Sequence, residues 1–193
     1  SGTINFVPSV FYANNFSFFQ RFGTYNTGNY NSSVSIGNKY LFLQAGGGKA
    51  ESSQFYKNAD NPDIIRHSSN VFINAGLKVF SNIELKIYHL NNERKFEDYY
   101  LSDSAGFSHN INTLKIETNK VKYGNLDFYI SDQIINGDEI ISGKRLSRID
   151  HKILTGFKYR KNLNKGYIIF NGDKSYINAD WKTNADNINL RRE

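Results

Sequence analysis

Several side-chain groupings in this chain are of types that could do chemistry. The run Gly46-Gly47-Gly48-Lys49 ends like a phosphate-binding loop, in which backbone amides cradle phosphates and the lysine reaches them. That motif also needs Ser or Thr after the lysine, to hold Mg2+, and a glycine at its head. Here Ala50 follows and Leu43 stands at the head, so the run is expected to open a flexible loop. His67, His89, His109 and His151 have no acidic or histidine partner at metal-site spacing, although His89 and His109 could meet across a hairpin. Glu84, Glu117 and Asp127 could supply the acid and base of glycoside hydrolysis. Their neighbours Lys86 and Lys115 point instead to cross-strand ion pairs. Asn136-Gly137-Asp138 and Asn171-Gly172-Asp173 carry turn chemistry and lack the repeat context of calcium loops. Cysteine is absent, which removes disulfides, thiolate metal sites and thiol nucleophiles. No nucleophile–base arrangement is legible, so neither an enzyme nor a cofactor is expected.

The elements that must position these residues are strands. Ile83, Leu85 and Ile87 alternate with Glu84 and Lys86, and Leu114 and Ile116 with Lys115 and Glu117. Leu126, Phe128 and Ile130 alternate with Asp127, Tyr129 and Ser131. Ile149, Ile153, Phe157 and Tyr159 oppose Arg148, Asp150, Lys152, Lys158 and Arg160. Successive side chains on a strand point to opposite faces, so each segment has an apolar and a charged side. The pattern predicts strands over 3–12, 16–22, 32–45, 70–80, 82–90, 109–119, 125–134, 147–161, 166–171 and 175–182. Several exceed the five or six residues usual in soluble sheets and match the roughly nine to eleven needed to cross a bilayer at a tilt.

Connections alternate between long (46–69, 91–108 and, of middling length, 135–146) and short (Ser81-Asn82, 123–125, 162–165). Outer-membrane barrels alternate in this way because one rim has turns and the other loops. Tyr40, Tyr88, Tyr123, Tyr159, Tyr167, Tyr176 and Trp181 lie near expected strand ends, where interfacial girdles form. A closed barrel would further require residues 3–12 to pair with 175–182. On parity alone, a lysine at Leu85 should be costly and one at Glu84 mild.

The 193 residues make one all-β domain, 1–193. Aromatic content of 15% argues against disorder. Net charge is +6, but bases and acids alternate along the chain and only Arg191-Arg192 cluster, so no nucleic-acid partner is expected. No apolar run approaches the length of a membrane helix. Methionine is absent and the chain opens on Ser1-Gly2, as a processed product or an excised fragment would.

From about residue 70 onward, the chain resembles the middle of the barrel in two-partner secretion transporters of the haemolysin-activator family. The resemblance rests on a strand like 82–91 rising to a long loop and an Asn-rich return like 109–116. An acidic tip follows, like Asp138-Glu139-Ile140, and a basic segment from Lys144-Arg145 through Arg148. The next strand, 153–160, ends in a turn of the Tyr-Arg-x-x-Leu-x-x-Gly kind, Tyr159-Arg160 to Leu163 and Gly166. The family's barrel has more strands, and its Val-Arg-Gly-Tyr-like loop tip and periplasmic domains have no counterpart here. No functional residue is carried over.

The expectation is therefore an antiparallel up-and-down meander forming all or part of a transmembrane β-barrel in the outer membrane of a Gram-negative bacterium. Its role would be transport or protein export. Lipid would be one partner and an exported protein another. Glu84, Lys86, Lys115, Glu117, Asp127, Arg148, Asp150 and Lys152 would face a polar lumen and set ion preference. The alternative is a secreted or cell-surface β-sandwich that binds carbohydrate or protein through long Tyr- and Asn-rich loops.

Overall fold

A computed structural model describes residues 14–23, 27–54, 64–98, 103–118 and 124–183, and the backbone of 187–192. The alternating segments pair with their sequence neighbours into one antiparallel sheet. Its strands are β1 (Asn15–Phe22), β2 (Gly28–Gly37), β3 (Leu41–Gln54), β4 (Ile64–Phe80), β5 (Ile83–Asp98), β6 (Asp103–Thr118), β7 (Asn125–Ile141), β8 (Lys144–Leu163), β9 (Gly166–Thr183) and β10 (Asn187–Arg192). The order is β1 to β10 without a crossover, and no ladder joins β1 to β10 among the described residues. The chain is thus an all-β, open antiparallel meander. It forms one sheet, not the two packed layers of a sandwich.

Several boundaries differ from the sequence expectation. The segment 32–45 is two strands, broken where Asn38 Oδ1 accepts the amides of Tyr40 and Leu41 at 2.9 and 3.0 Å. The segments 166–171 and 175–182 are one strand, β9. The expected loops 46–69, 91–108 and 135–146 are mostly strand: β3 reaches Gln54, β4 starts at Ile64, β5 reaches Asp98 and β6 starts at Asp103. β7 and β8 meet at Ser142-Gly143, where both residues have positive φ (50° and 77°), the geometry of a tight hairpin turn. These segments mix polar and apolar residues on both faces, with Phe96 and Phe107 on one and Ile65 and Ile140 on the other, so alternation fades there although the ladder continues. Residues 3–12 and Tyr123 lie outside the described residues. Over Ile177–Lys182, β9 is paired with β8 on one edge and β10 on the other, which leaves no edge for the expected closure with residues 3–12. A neighbour joined by a short loop loses less entropy on pairing than a segment from the far end of the chain.

The glycines explain the remaining departures. Gly76 on β4 lies opposite Phe42 on β3, and a Cβ there would overlap the Phe42 ring. Gly46 likewise lies opposite Phe72, Gly156 opposite Tyr129 and Gly137 opposite Phe107. Gly46-Gly47-Gly48 is therefore mid-strand, and Asn136-Gly137-Asp138 and Asn171-Gly172-Asp173 are strand too. In each pairing the missing side chain gives a ring on the next strand room to lie flat.

Candidate functional site: the concave polar face

The register assigns every paired residue to one of two faces, and the faces differ in kind. One carries Glu84, Lys86 and Tyr88 on β5, matched by Glu117, Lys115 and Thr113 on β6 and by Asp127, Tyr129 and Ser131 on β7. Ser35, Gln44, Asn74, Glu84, Ser131 and Asp150 are buried, and all lie on this face; Phe42, fully buried, lies there as well. Ser53 is the one buried polar residue on the other face among the described residues. A sheet curved toward one side crowds the side chains on its concave face and spreads those on the convex one. The polar face is accordingly the concave one.

The convex face is apolar toward the end where β2–β3, β4–β5, β6–β7 and β8–β9 turn, called here the turn end. Leu41, Leu77, Leu85, Ile116, Phe128 and Phe157 form one row across six strands, and Ile36, Leu43, Ile87, Leu114 and Ile130 lie on the next. Most of these side chains are exposed, Ile36 at 61% and Ile87 at 53%. Beyond them the convex face becomes polar, starting at His89, Asn112 and Asp132 on one row. His151 Nε2 stands 2.5 Å from Asp132 Oδ1, and His89 Nδ1 2.7 Å from Asn112 Oδ1.

Side chains on the concave face partner one another across strands. Asn74 Nδ2 donates to Gln44 Oε1 at 3.2 Å, and Thr113 Oγ1 to Ser131 Oγ at 2.9 Å. At the turn end the charges form a continuous chain. Glu84 lies 3.4 Å from Lys86, which bonds Glu117 at 2.5 Å; Lys115 bonds the other Glu117 oxygen at 2.5 Å and lies 3.5 Å from Asp127. Acid and base alternate along it, so each charge sits beside its opposite. The carboxylates considered for glycoside hydrolysis are engaged here by lysines.

All eight polar residues singled out from the sequence lie on this one face. Five make the charge chain. Arg148 and Asp150 pair with each other farther along β8, and the Arg148 guanidinium lies 4.9 Å from the Trp181 ring centre. Lys152 stands opposite Gln133, with no ion pair to any described carboxylate. His89 and His109 do not meet: they belong to different rows and opposite faces, opposite Asn112 and Asn92. Among the described residues no three metal-ligating side chains cluster. The expected aromatic girdle is partial. Tyr40 and Tyr167 are exposed near the turns, and Tyr159 stacks on Phe170 with centroids 6.4 Å apart. Tyr88 and Trp181 instead lie on the concave face, and Tyr176 is mid-strand.

Sequence reasoning missed Arg21, Arg66 and Arg94, which also lie on the concave face, toward the far end. Arg66 and Arg94 fall in segments whose sequence lacks clear alternation, so it does not assign them a face. Comparisons with protein-family models, with curated proteins and with solved structures return no match for this chain.

Proposed function

We propose that the chain is part of the wall of a β-barrel in a bacterial outer membrane, with a role in transport or protein export. One observation carries this reading. The polarity of the sheet is inverted relative to a water-soluble fold: Phe42 is the one buried hydrophobic side chain among the described residues, while apolar residues of nine successive strands, β1 to β9, are exposed on the convex face. In water such a surface far exceeds the apolar patches that monomers ordinarily show. Against lipid it is the required surface, and a charged concave face then lines a wet interior. On β4 the apolar convex stretch runs from Val71 to Leu77, roughly 20 Å along the strand at about 3.3 Å per residue, which at the tilt of barrel strands covers about 15 Å of a lipid-facing band. Among the described residues no helix is long and apolar enough to cross a membrane, and strands have no such requirement.

On this reading Glu84, Lys86, Lys115, Glu117, Asp127, Arg148, Asp150 and Lys152 face the lumen, lipid covers the convex band, and the cargo is an ion, a solute or an exported protein. The outer edges of β1 and β10, unpaired among the described residues, would have to be met by other strands, because lipid cannot satisfy their amides and carbonyls. The test is solubility. The expressed chain should need detergent or lipid to fold and should sediment with membranes. A chain that stays folded, soluble and monomeric in plain buffer would overturn the reading.

A further inference from the structure

Arg21 on β1, Arg66 on β4 and Arg94 on β5 line a single groove of about 890 Å3 on the concave face, toward the far end. Between them the concave positions are small: Asn29 on β2, Ala50 and Ser52 on β3, and Ser68 on β4. The guanidinium groups therefore stand over a low floor with nothing large between them. None of the three has a carboxylate within ion-pair distance among the described residues, whereas Arg145 and Arg148 do. Glu51, His67 and Lys95 border the groove through their backbone only, because their side chains alternate to the convex face, where Glu51 lies 3.3 Å from His67. Phe96, 5.8 Å beneath the Arg66 guanidinium, and Phe107, opposite Arg94, form an apolar flank.

An arginine with no carboxylate beside it is an incomplete device. Its planar fork presents paired N–H donors at the spacing of two oxygens on one phosphorus or carbon. Three such forks around one groove, with a neutral floor, match a ligand bearing more than one oxyanion group. We propose that this groove binds a small, multiply charged oxyanion: a phosphate-bearing or polycarboxylate solute held by Arg21, Arg66 and Arg94. The groove is a property of the concave face and does not rest on the membrane reading.

Calorimetric titration of the full chain with inorganic pyrophosphate and, separately, with citrate tests the proposal and distinguishes the two ligand sources. The protein is folded in detergent micelles, or in plain buffer if it proves soluble there. Saturable binding of at least one anion is expected, weakened by rising ionic strength. Arg66→Gln and Arg94→Gln should each reduce affinity about tenfold, as loss of a charged hydrogen-bond donor does. Both side chains are exposed, so either variant should fold. Arg66→Lys should restore only part of the affinity, because a lysine offers no fork. Arg145→Gln, on the convex face, should leave binding unchanged. Absence of saturable binding with both anions would overturn the proposal. So would an equal loss in Arg145→Gln, which would mark general attraction to a basic protein.

Discussion

The two ends of the sheet are built from the same ladder and differ in what they offer their surroundings. At the turn end the convex face is apolar and the concave charges neutralise one another, with Glu117 held between Lys86 and Lys115. At the far end the convex face carries Lys49, Glu51, Glu93 and Lys95, and the concave face carries Arg21, Arg66 and Arg94, none with a carboxylate at ion-pair distance among the described residues. A strand pairing identical in hydrogen bonding thus supports opposite solvation. The turn end suits an apolar medium outside and needs nothing from within. The far end is suited to water on both sides, and its concave arginines have no acidic partner among the described residues.

The largest expected contrast lies between lysines placed on the two convex surfaces. Ile87→Lys, at the turn end, should destabilise the lipid-folded protein by about 2–4 kcal/mol. Glu93→Lys, on the far half of the same strand face, should change stability by no more than about 0.5 kcal/mol. Denaturant unfolding in lipid vesicles, followed by the fluorescence of Trp181, the sole tryptophan, measures both. Equal effects at the two positions would erase the distinction between the ends.

Packing gives the next contrast. Gly76→Val drives a side chain into the ring of Phe42 and should cost about 1–3 kcal/mol by overpacking. At Gly106, in the far half of β6, a Cβ would meet nothing nearer than the Asp138 carbonyl at 3.9 Å, so Gly106→Val should be neutral or slightly stabilising in a strand. The same unfolding assay reads both. A smaller effect is expected at the charge chain. Glu117→Gln leaves Lys86 and Lys115 facing one another without their shared carboxylate and should cost about 1–2 kcal/mol. Adding Lys86→Gln should recover part of that loss, and a double-mutant cycle would show the coupling.

How much of this was legible in the sequence depends on the end considered. Strict alternation, around Leu85 and Lys86 at the turn end and around Ile149 and Asp150 farther along β8, placed all eight polar residues on one face, because the two faces of a strand differ in polarity with a period of two. At the far end both faces mix polar and apolar residues, and segments such as 91–98 and 103–108 read as loops although they pair residue for residue. Parity also has no depth. It marked Glu84 as a tolerant lumen position, yet Glu84 is 5% exposed beside Lys86 and opposite Lys78, so a lysine there would add a third cation to a crowded spot. Glycine misled for a related reason. Gly137 and Gly172, beside Asn and Asp, carry a turn signature, but their role is clearance for Phe107 and Phe157 on neighbouring strands. That clearance is visible only once the register is known.

The smallest expected effect is at the far tip. Asp138 accepts two hydrogen bonds from Arg145, at 2.9 and 2.7 Å, across the Ser142-Gly143 turn. Those bonds hold the Asp138 carboxyl below the ordinary value of 3.8 and raise the Arg145 guanidinium above its own. A carboxylate whose pKa is depressed by folding contributes stability that is fully present above its unfolded value and lost as pH falls through the folded one. The pair's contribution should therefore be constant from neutral pH down to about the unfolded carboxyl value and fade only in stronger acid. Both groups are open to solvent, so salt should weaken the interaction. Asp138→Asn should leave the unfolding midpoint at neutral pH nearly unchanged and flatten only the acid limb of the pH profile. A large loss at neutral pH would show that this hairpin tip packs against something other than water, and would bring the far end closer in character to the turn end.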